Sequence, residues 1–424
     1  MDVKEQDIIT YVHCLSQGSE SPPKRISLVK KKYIDFVFQD MYTNMCELKS
    51  KIDERDNSKL WDKVKRRVNP YELVNVLGTN ILQNEKISKH ENYVPLSRAF
   101  FKLTEIFLSI DIVPDKYKST PGVIANIAEG PGGFIEALYK QRTVVGLQDT
   151  FYGITLQPKN RNIPGWEQLQ RRKKHFLNNK NVILKTGNLY NVKTVLKYSK
   201  LFTKQKAWLV TCDGGFDYSN DFNNQENNSR KIIYAEITTT LLIQEKNGSM
   251  VCKMFDLFTK FSLQIIYLLT LLYEQVYIVK PLTSRPANSE KYIVATRFKG
   301  IQPELSQSMI NCLLNWDDIN TKKVDNYLKT SIFYPLSNTI TDDVKKIVGG
   351  LEIENMNLPD NFTERIKTIN IFVTNNQKMY ITKTLKYIKN FKNTVNDKKF
   401  QKKYSELWFN KYNVLNKDKM FKCC

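Results

Sequence analysis

The chain has 424 residues, enough to bury a substantial core in one large domain with extensions or in two domains. Lys and Arg outnumber Asp and Glu by 65 to 43, a formal charge of +22. This points to a polyanionic partner, nucleic acid rather than a membrane, because the longest mainly apolar run, Phe261 to Tyr273, is too short to span a bilayer. Seven scattered cysteines without a CxxC pair, and three histidines, argue against a disulfide framework and a structural zinc site, so no metal is expected.

The start, MDVKEQDIITYV, lacks the basic-then-apolar order of a secretory signal, and the chain reads as soluble and intracellular. Residues 1–65 read as a basic, helical extension. Ile8, Ile9 and Val12, then Leu48 and Ile52, have helical spacing, and the Lys-rich stretch SPPKRISLVKKKY runs from Ser21 to Tyr33.

From residue 66 to residue 300 short apolar runs alternate with helical ones. Val123–Ala128, Tyr152–Leu156, Val182–Lys185, Ala207–Asp213, Met250–Phe255, Val276–Val279 and Tyr292–Phe298 read as strands. Between them a helix is expected over Ser229–Lys246, with Ser229 as its cap and Gly248 just past its end. Such alternation predicts an α/β fold, a doubly wound, mostly parallel sheet of Rossmann-like type with ligands at the carboxyl ends of the strands. Residues 301–424 read as mainly helical and Lys-rich, with Lys383, Lys386, Lys389 and Lys392 recurring as a cationic stripe suited to a phosphate backbone. Buried-hydrophobe roles are expected for Cys212 and Cys252, inside apolar strands.

The stretch NIAEGPGGFIEALY, Asn126 to Tyr139, has the order strand, tight turn, helix start, so backbone at the turn can approach a ligand closely. It lacks the GK[ST] ending of a P-loop and has no GxGxxG followed by an acidic residue, which leaves several nucleotide-like ligands open. S-adenosylmethionine fits: its amino-acid end can meet the turn amides and the helix N-terminus while its adenosine lies along neighbouring strand ends. Four further segments, LSRAFFKL, VTCDGGF, SMVCKMFDLF and SRPANSEKYIVATRF, place Lys102, Asp213, Lys253 and Glu290 at the edges of regular elements. Two lysines and two carboxylates so disposed can converge on one substrate hydroxyl.

The ordered series RRVNPYE, SRAFFK, EGPGGF, YGITL, CDGGF, QEN, CKMFDLFT and KPLTSRPANSEKYIV resembles the FtsJ-type ribose 2′-O-methyltransferases, above all the cap-specific messenger-RNA enzymes. The resemblance implies a Rossmann-like methyltransferase fold, S-adenosyl-L-methionine as cofactor, and methylation of the first transcribed nucleotide of capped RNA. A ribosomal or transfer RNA methyltransferase and a non-catalytic RNA-binding subunit are the alternatives. It implies Lys102, Asp213, Lys253 and Glu290 as the catalytic tetrad, with Lys253 as base. Two adjacent lysines lower each other's proton affinity, and the acidic pair pushes the other way.

Cofactor contacts carried over by the resemblance are Ser97, Gly130, Pro131, Gly132, Gly133, Phe134, Thr155, Leu156, Asn188 and Asp213. RNA or cap contacts are Lys65, Arg66, Arg67, Glu226, Asn227, Ser284, Arg285, Asn288 and Ser289. Asn126, Asn188 and Ser97 stand where the family favours an acidic residue, an aspartate and an asparagine, and Lys65 stands for an arginine. Length and basic composition further resemble those of a viral member, which implies viral capping or transcription machinery as partners and the host cytoplasm as the setting.

Overall fold

The apolar runs organise the molecule, a computed structural model that describes residues 11–15, 18, 20–31, 34–52, 54, 60–61, 64–65, 68–74, 95–156, 164–176, 180–215, 223–316, 350–389 and 397–412. In chain order the elements are β1 (Tyr11–Leu15), β2 (Leu28–Lys31), α1 (Gln39–Ser50), α2 (Ala99–Ser109), α3 (Asp115–Ser119), β3 (Val123–Ile127), α4 (Gly133–Val144), β4 (Thr150–Thr155), α5 (Glu167–Phe176), β5 (Val182–Thr186), α6 (Val192–Ser199) and β6 (Ala207–Cys212). They continue with α7 (Gln225–Asn228), α8 (Arg230–Ile243), β7 (Gln244–Met254), α9 (Lys260–Leu272), β8 (Tyr273–Lys280), β9 (Lys291–Phe298), α10 (Pro303–Leu314), β10 (Gly350–Ile353), α11 (Asp360–Lys389) and α12 (Asp397–Tyr412).

Eight strands form one sheet in the order β1-β8-β9-β7-β6-β3-β4-β5. The run from β7 to β5 is parallel, whereas β9 is antiparallel to both β7 and β8, and β1 pairs antiparallel at the far edge. Every residue of β3 and β6 is buried, as expected for strands covered on both faces. One face packs Leu103, Phe134, Ile135, Trp208 and Trp408 into a core beneath α2, α4 and α12. The other packs Val195, Ile237, Leu268, Met309 and Ile369 beneath α6, α8, α9, α10 and α11.

All seven expected strands form, six of them within three residues of their expected ends, while β7 begins six residues early. The helix expected over Ser229–Lys246 is shorter: α8 stops at Ile243, and β7 begins at Gln244 and passes through Gly248. Ser229 does not cap it, since its hydroxyl donates instead to the Gln225 carbonyl at 2.6 Å. The amino-terminal segment expected to be helical contributes two strands. β1 extends the main sheet, and β2 pairs with β10 of the carboxyl-terminal segment, Leu28 opposite Ile353. Ile8, Ile9, Lys392, Cys423 and Cys424 lie outside the described residues. Cys212 and Cys252 are buried, as expected, on neighbouring strands. No described helix is long and apolar enough to cross a membrane, and no described group of His, Cys, Asp and Glu is placed to hold a metal ion.

Candidate active site

Strand register brings the four ionisable residues together. On parallel neighbours β6 and β7, Cys212 lies opposite Cys252, so the next residues, Asp213 and Lys253, emerge side by side at the carboxyl edge. On antiparallel β9, Tyr292 lies opposite Lys253 and Lys291 opposite Met254, which delivers Glu290 to the same edge. Lys102 reaches it from the first turn of α2.

The Lys102 ammonium lies 2.6 Å from Glu290 Oε1, and the Lys253 ammonium 3.1 Å from Asp213 Oδ1. Lys253 also donates to the Asp213 carbonyl at 2.6 Å. Ser284 Oγ donates to Glu290 Oε1 at 2.8 Å, and the buried Tyr292 hydroxyl donates to Asp213 Oδ1 at 3.3 Å. Lys280, buried beneath the 281–290 loop, donates to the Asn288 carbonyl at 2.9 Å, to Asn288 Oδ1 at 2.6 Å and to the Glu290 carbonyl.

The electrostatics correct one expectation. Burial pulls the Lys253 proton affinity down, but Asp213 and Glu290 more than offset it, so its pKa lies above the ordinary 10.5. The acidic pair therefore prevails over mutual lysine repulsion in the free protein. Burial would raise Glu290, yet Lys102, Lys253 and Lys280 hold it down at about 2. Beneath the Asp213–Gly214 turn, Glu236 of α8 accepts from Gly214 N at 2.8 Å, and burial, partly offset by Lys253, raises its pKa to about 8.

The glycine turn leaves β3 and enters α4 through Gly132, at φ +110°, where a side chain would also meet Leu169 at 2.7 Å. Gly133 is closed against Ser97, whose hydroxyl would lie 2.2 Å from an added Cβ and has no hydrogen-bond partner among the described residues. Gly130 N donates to Thr155 Oγ1 at 3.2 Å. Thr155 thus supports the turn, while Leu156, 44% exposed, and the exposed Asn188 stand at adjacent strand ends. Asn188 Oδ1 accepts from Tyr190 N at 2.9 Å, and Asn126 ties β3 to β6 by donating to Thr211 Oγ1 at 2.7 Å.

The helix N-terminus is not open as the sequence suggested. Glu129 accepts from Phe134 N at 2.6 Å and from Ile135 N at 3.1 Å, so the chain's own carboxylate takes amides expected to face a ligand. Burial, then the Asp213 charge, raises the Glu129 pKa well above the ordinary carboxylate value. The readable sign was an acidic residue two positions before PGGF, five and six positions before the amides it meets.

Beside the tetrad lies a cavity of about 170 Å³ whose walls include Trp61, Lys65, Arg285, Asn288, Ser289 and Tyr380. Four of the expected RNA residues therefore share one cavity. Of these, Arg285 pairs with Glu72 at 3.3 Å and stays 41% exposed, whereas Ser289 is buried and donates to Gln225 Oε1 at 2.6 Å. Ser284, also buried, is turned to Glu290. Glu226 is not presented to solvent: it is buried and accepts from Phe258 N at 3.1 Å, Thr259 N at 3.0 Å and Thr259 Oγ1 at 2.7 Å, closing the start of α9. Asn227 is buried too, with Oδ1 lacking a partner among the described residues. Arg66 and Arg67 lie outside the described residues. Trp61 and Tyr380, absent from the expected set, give the cavity aromatic surface; the Trp61–Lys65 spacing of four was the readable sign.

Residues 95–298 match the family described as FtsJ-like methyltransferase. The chain is 31% identical over 210 residues, 48% of its length and 57% of the other's, to "Cap-specific mRNA (nucleoside-2'-O-)-methyltransferase 1" of Trypanosoma cruzi. It is 26% identical over 385 residues, 85% of its length and 39% of the other's, to the protein of the same name from Caenorhabditis elegans. It is 25% identical over 300 residues, 66% and 34% of the two lengths, to "Inactive cap-specific mRNA (nucleoside-2'-O-)-methyltransferase 1B" of Caenorhabditis briggsae. The chain thus matches only about a third to just over half of the length of these relatives.

Proposed function

We propose that this chain, whose residues 95–298 are an FtsJ-like methyltransferase domain, methylates the ribose 2′-hydroxyl of the first transcribed nucleotide of capped messenger RNA, converting cap 0 to cap 1. The observation that carries the reading is the meeting of Lys102, Asp213, Lys253 and Glu290 at one strand edge, beside the glycine turn and the cationic, aromatic cavity. The cofactor is S-adenosyl-L-methionine, and the residues at the turn suit it. Ser97 brings a buried, unpartnered hydroxyl, Leu156 and Asn188 offer exposed strand ends, and Gly130 to Phe134 bring backbone close. Glu129, at the same turn, suits the ammonium of the cofactor's amino-acid end. When bound, the cofactor supplies a methyl group already activated on a sulfonium.

The chain's own work is positioning and proton management. Lys102 and Lys253 are held by Glu290 and Asp213 at the same strand edge, and in this reading the ribose hydroxyl is received there. Lys253, once its own proton has passed to solvent, receives the hydroxyl proton at Nζ, and Lys102, paired with Glu290, steadies the developing charge on oxygen. Ser284, Tyr292 and Lys280 fix the two carboxylates and their loop. Trp61 and Tyr380 offer ring faces to a cap base, and Lys65 and Arg285 offer charge to its phosphates. Capped RNA is the partner in this reading, and viral capping or transcription machinery in the host cytoplasm is the setting it fits.

The test is transfer of labelled methyl from the cofactor to a capped transcript and to the same transcript with a triphosphate end. Transfer is expected only to the first, with a loss of at least about 100-fold in Lys253→Ala. Equal transfer to both ends sinks the cap assignment.

A second reading, capped-RNA binding without methyl transfer, is favoured by one observation: Glu129 already occupies the Phe134 and Ile135 amides. Titration of cofactor into the protein without RNA separates the two readings.

A further inference from the structure

From Arg365 to Lys389, helix α11 carries Arg365, Lys367, Lys378, Lys383, Lys386 and Lys389 and no acidic residue. Its inner face is accounted for: Ile381, Thr384 and Ile388 are buried, and Gln377 donates to the Ala287 carbonyl at 3.2 Å, within the loop that carries Glu290. Its outer face holds Lys383, Lys386 and Lys389, all exposed, and Tyr387, 37% exposed. The outer face is continuous with the cavity. Tyr380 lines that cavity, and Lys383 sits over the Tyr380 ring at 5.2 Å. From Tyr380 to Lys389 the helix advances roughly 13 Å.

We propose that the solvent-exposed side of α11, through Lys386 with Tyr387 and Lys389 on its two flanks, binds the body of single-stranded RNA, beyond the nucleotides held in the cavity and the tetrad. Closely spaced cations with an interleaved, accessible aromatic ring provide what a single strand needs: charge for phosphates and a platform for a base. An acidic protein surface would match the charge but would leave the continuity with the cavity unused. The inference rests on the reading of the cavity as the RNA 5′-end site, and it adds a length-dependent contribution to affinity.

The experiment uses the full chain and a variant with Lys386→Ala, Tyr387→Ala and Lys389→Ala, compared by fluorescence anisotropy on two labelled probes. One is a capped RNA of about 20 nucleotides, within reach of an extended single-strand site, and the other a cap dinucleotide. The substituted side chains are exposed, and an unchanged melting temperature verifies the fold. For the long RNA the variant is expected to bind about tenfold more weakly, and its slope of log affinity against log salt is expected to be shallower by roughly 1.4, for two lost phosphate contacts. Dinucleotide affinity is expected to stay as in the unsubstituted chain. An unchanged long-RNA slope, or an equal loss on both probes, overturns the proposal. Anisotropy needs no methyl transfer, so a protein that binds long RNA in this way but transfers nothing sinks the catalytic reading and leaves this surface standing.

Discussion

Glu105, three residues beyond Lys102 on α2, accepts a hydrogen bond from Trp408 Nε1 of α12 at 2.9 Å. The same carboxylate accepts from Leu282 N at 2.6 Å and Thr283 N at 2.9 Å, in the loop that leads to Glu290. One buried acid therefore joins the helix that carries Lys102, the Glu290 loop and α12, and Phe101 packs edge-on against Trp408 at 5.3 Å. Trp408→Ala is expected to cost about 3–5 kcal/mol of stability, since losing a fully buried indole leaves a cavity and takes one of the donors from Glu105 Oε1, which keeps Thr283 N. Trp408→Phe keeps much of the packing and is expected to lower kcat more than it lowers the melting temperature, as the Glu105 anchor loosens. Denaturant unfolding beside steady-state kinetics checks both; a Phe variant with unchanged kcat removes the anchor role.

How much of this was readable in advance follows from where each signal resides. The seven strands were readable because doubly buried strands are continuous apolar runs; Asp213, Lys253 and Glu290 border such runs, whereas Lys102 lies on a helix and the grouping of the four came from the family resemblance. β1 and β10 were not, being short edge strands whose partners lie hundreds of residues away. Glu226 looked exposed because its neighbours are polar; its donors, Phe258 and Thr259, are more than thirty positions distant. The end of α8 was missed because a Gly after a polar run reads as a helix stop, while the tertiary pairing of β7 with β6 draws Gln244 onward into the sheet.

In the proposed reaction the Asp213–Lys253 contact would set the pH dependence. With Lys253 held above 10.5, kcat/KM, which reports the free enzyme, is expected to rise with pH without a plateau below that value. Asp213→Asn removes the strongest of the charges holding the proton, so the plateau is expected at lower pH, at a reduced maximum rate. Initial rates from pH 6 to about 10.5 measure this. An unshifted profile in the variant takes the base role away from Lys253.

Glu290 makes the corresponding statement for stability. Its folded pKa of about 2 lies below the ordinary 4.5, so its contribution is full above about 4.5 and is lost as pH falls through about 2. The difference corresponds to on the order of 3 kcal/mol. Glu290→Gln is therefore expected to be less stable than the unsubstituted chain near neutrality and to converge with it as pH falls toward 2. Urea unfolding at several pH values checks this, and a constant gap across the range contradicts the charge assignment.

Glu129 distinguishes the two functional readings most directly. Its carboxylate caps α4 through Phe134 N and Ile135 N, so Glu129→Ala is expected to cost about 1 kcal/mol in stability whichever reading holds. Cofactor affinity separates them. If Glu129 pairs with the ammonium of a bound amino-acid end, removing it takes away a charge-assisted bond, and calorimetry is expected to show binding weakened about tenfold or more. If instead its carboxylate fills a place that a ligand carboxylate would need, the substitution uncovers two helix amides suited to an anion, and binding strengthens. The first outcome is the one expected of a working methyltransferase; the second would mark a chain that keeps the tetrad while closing its own cofactor seat.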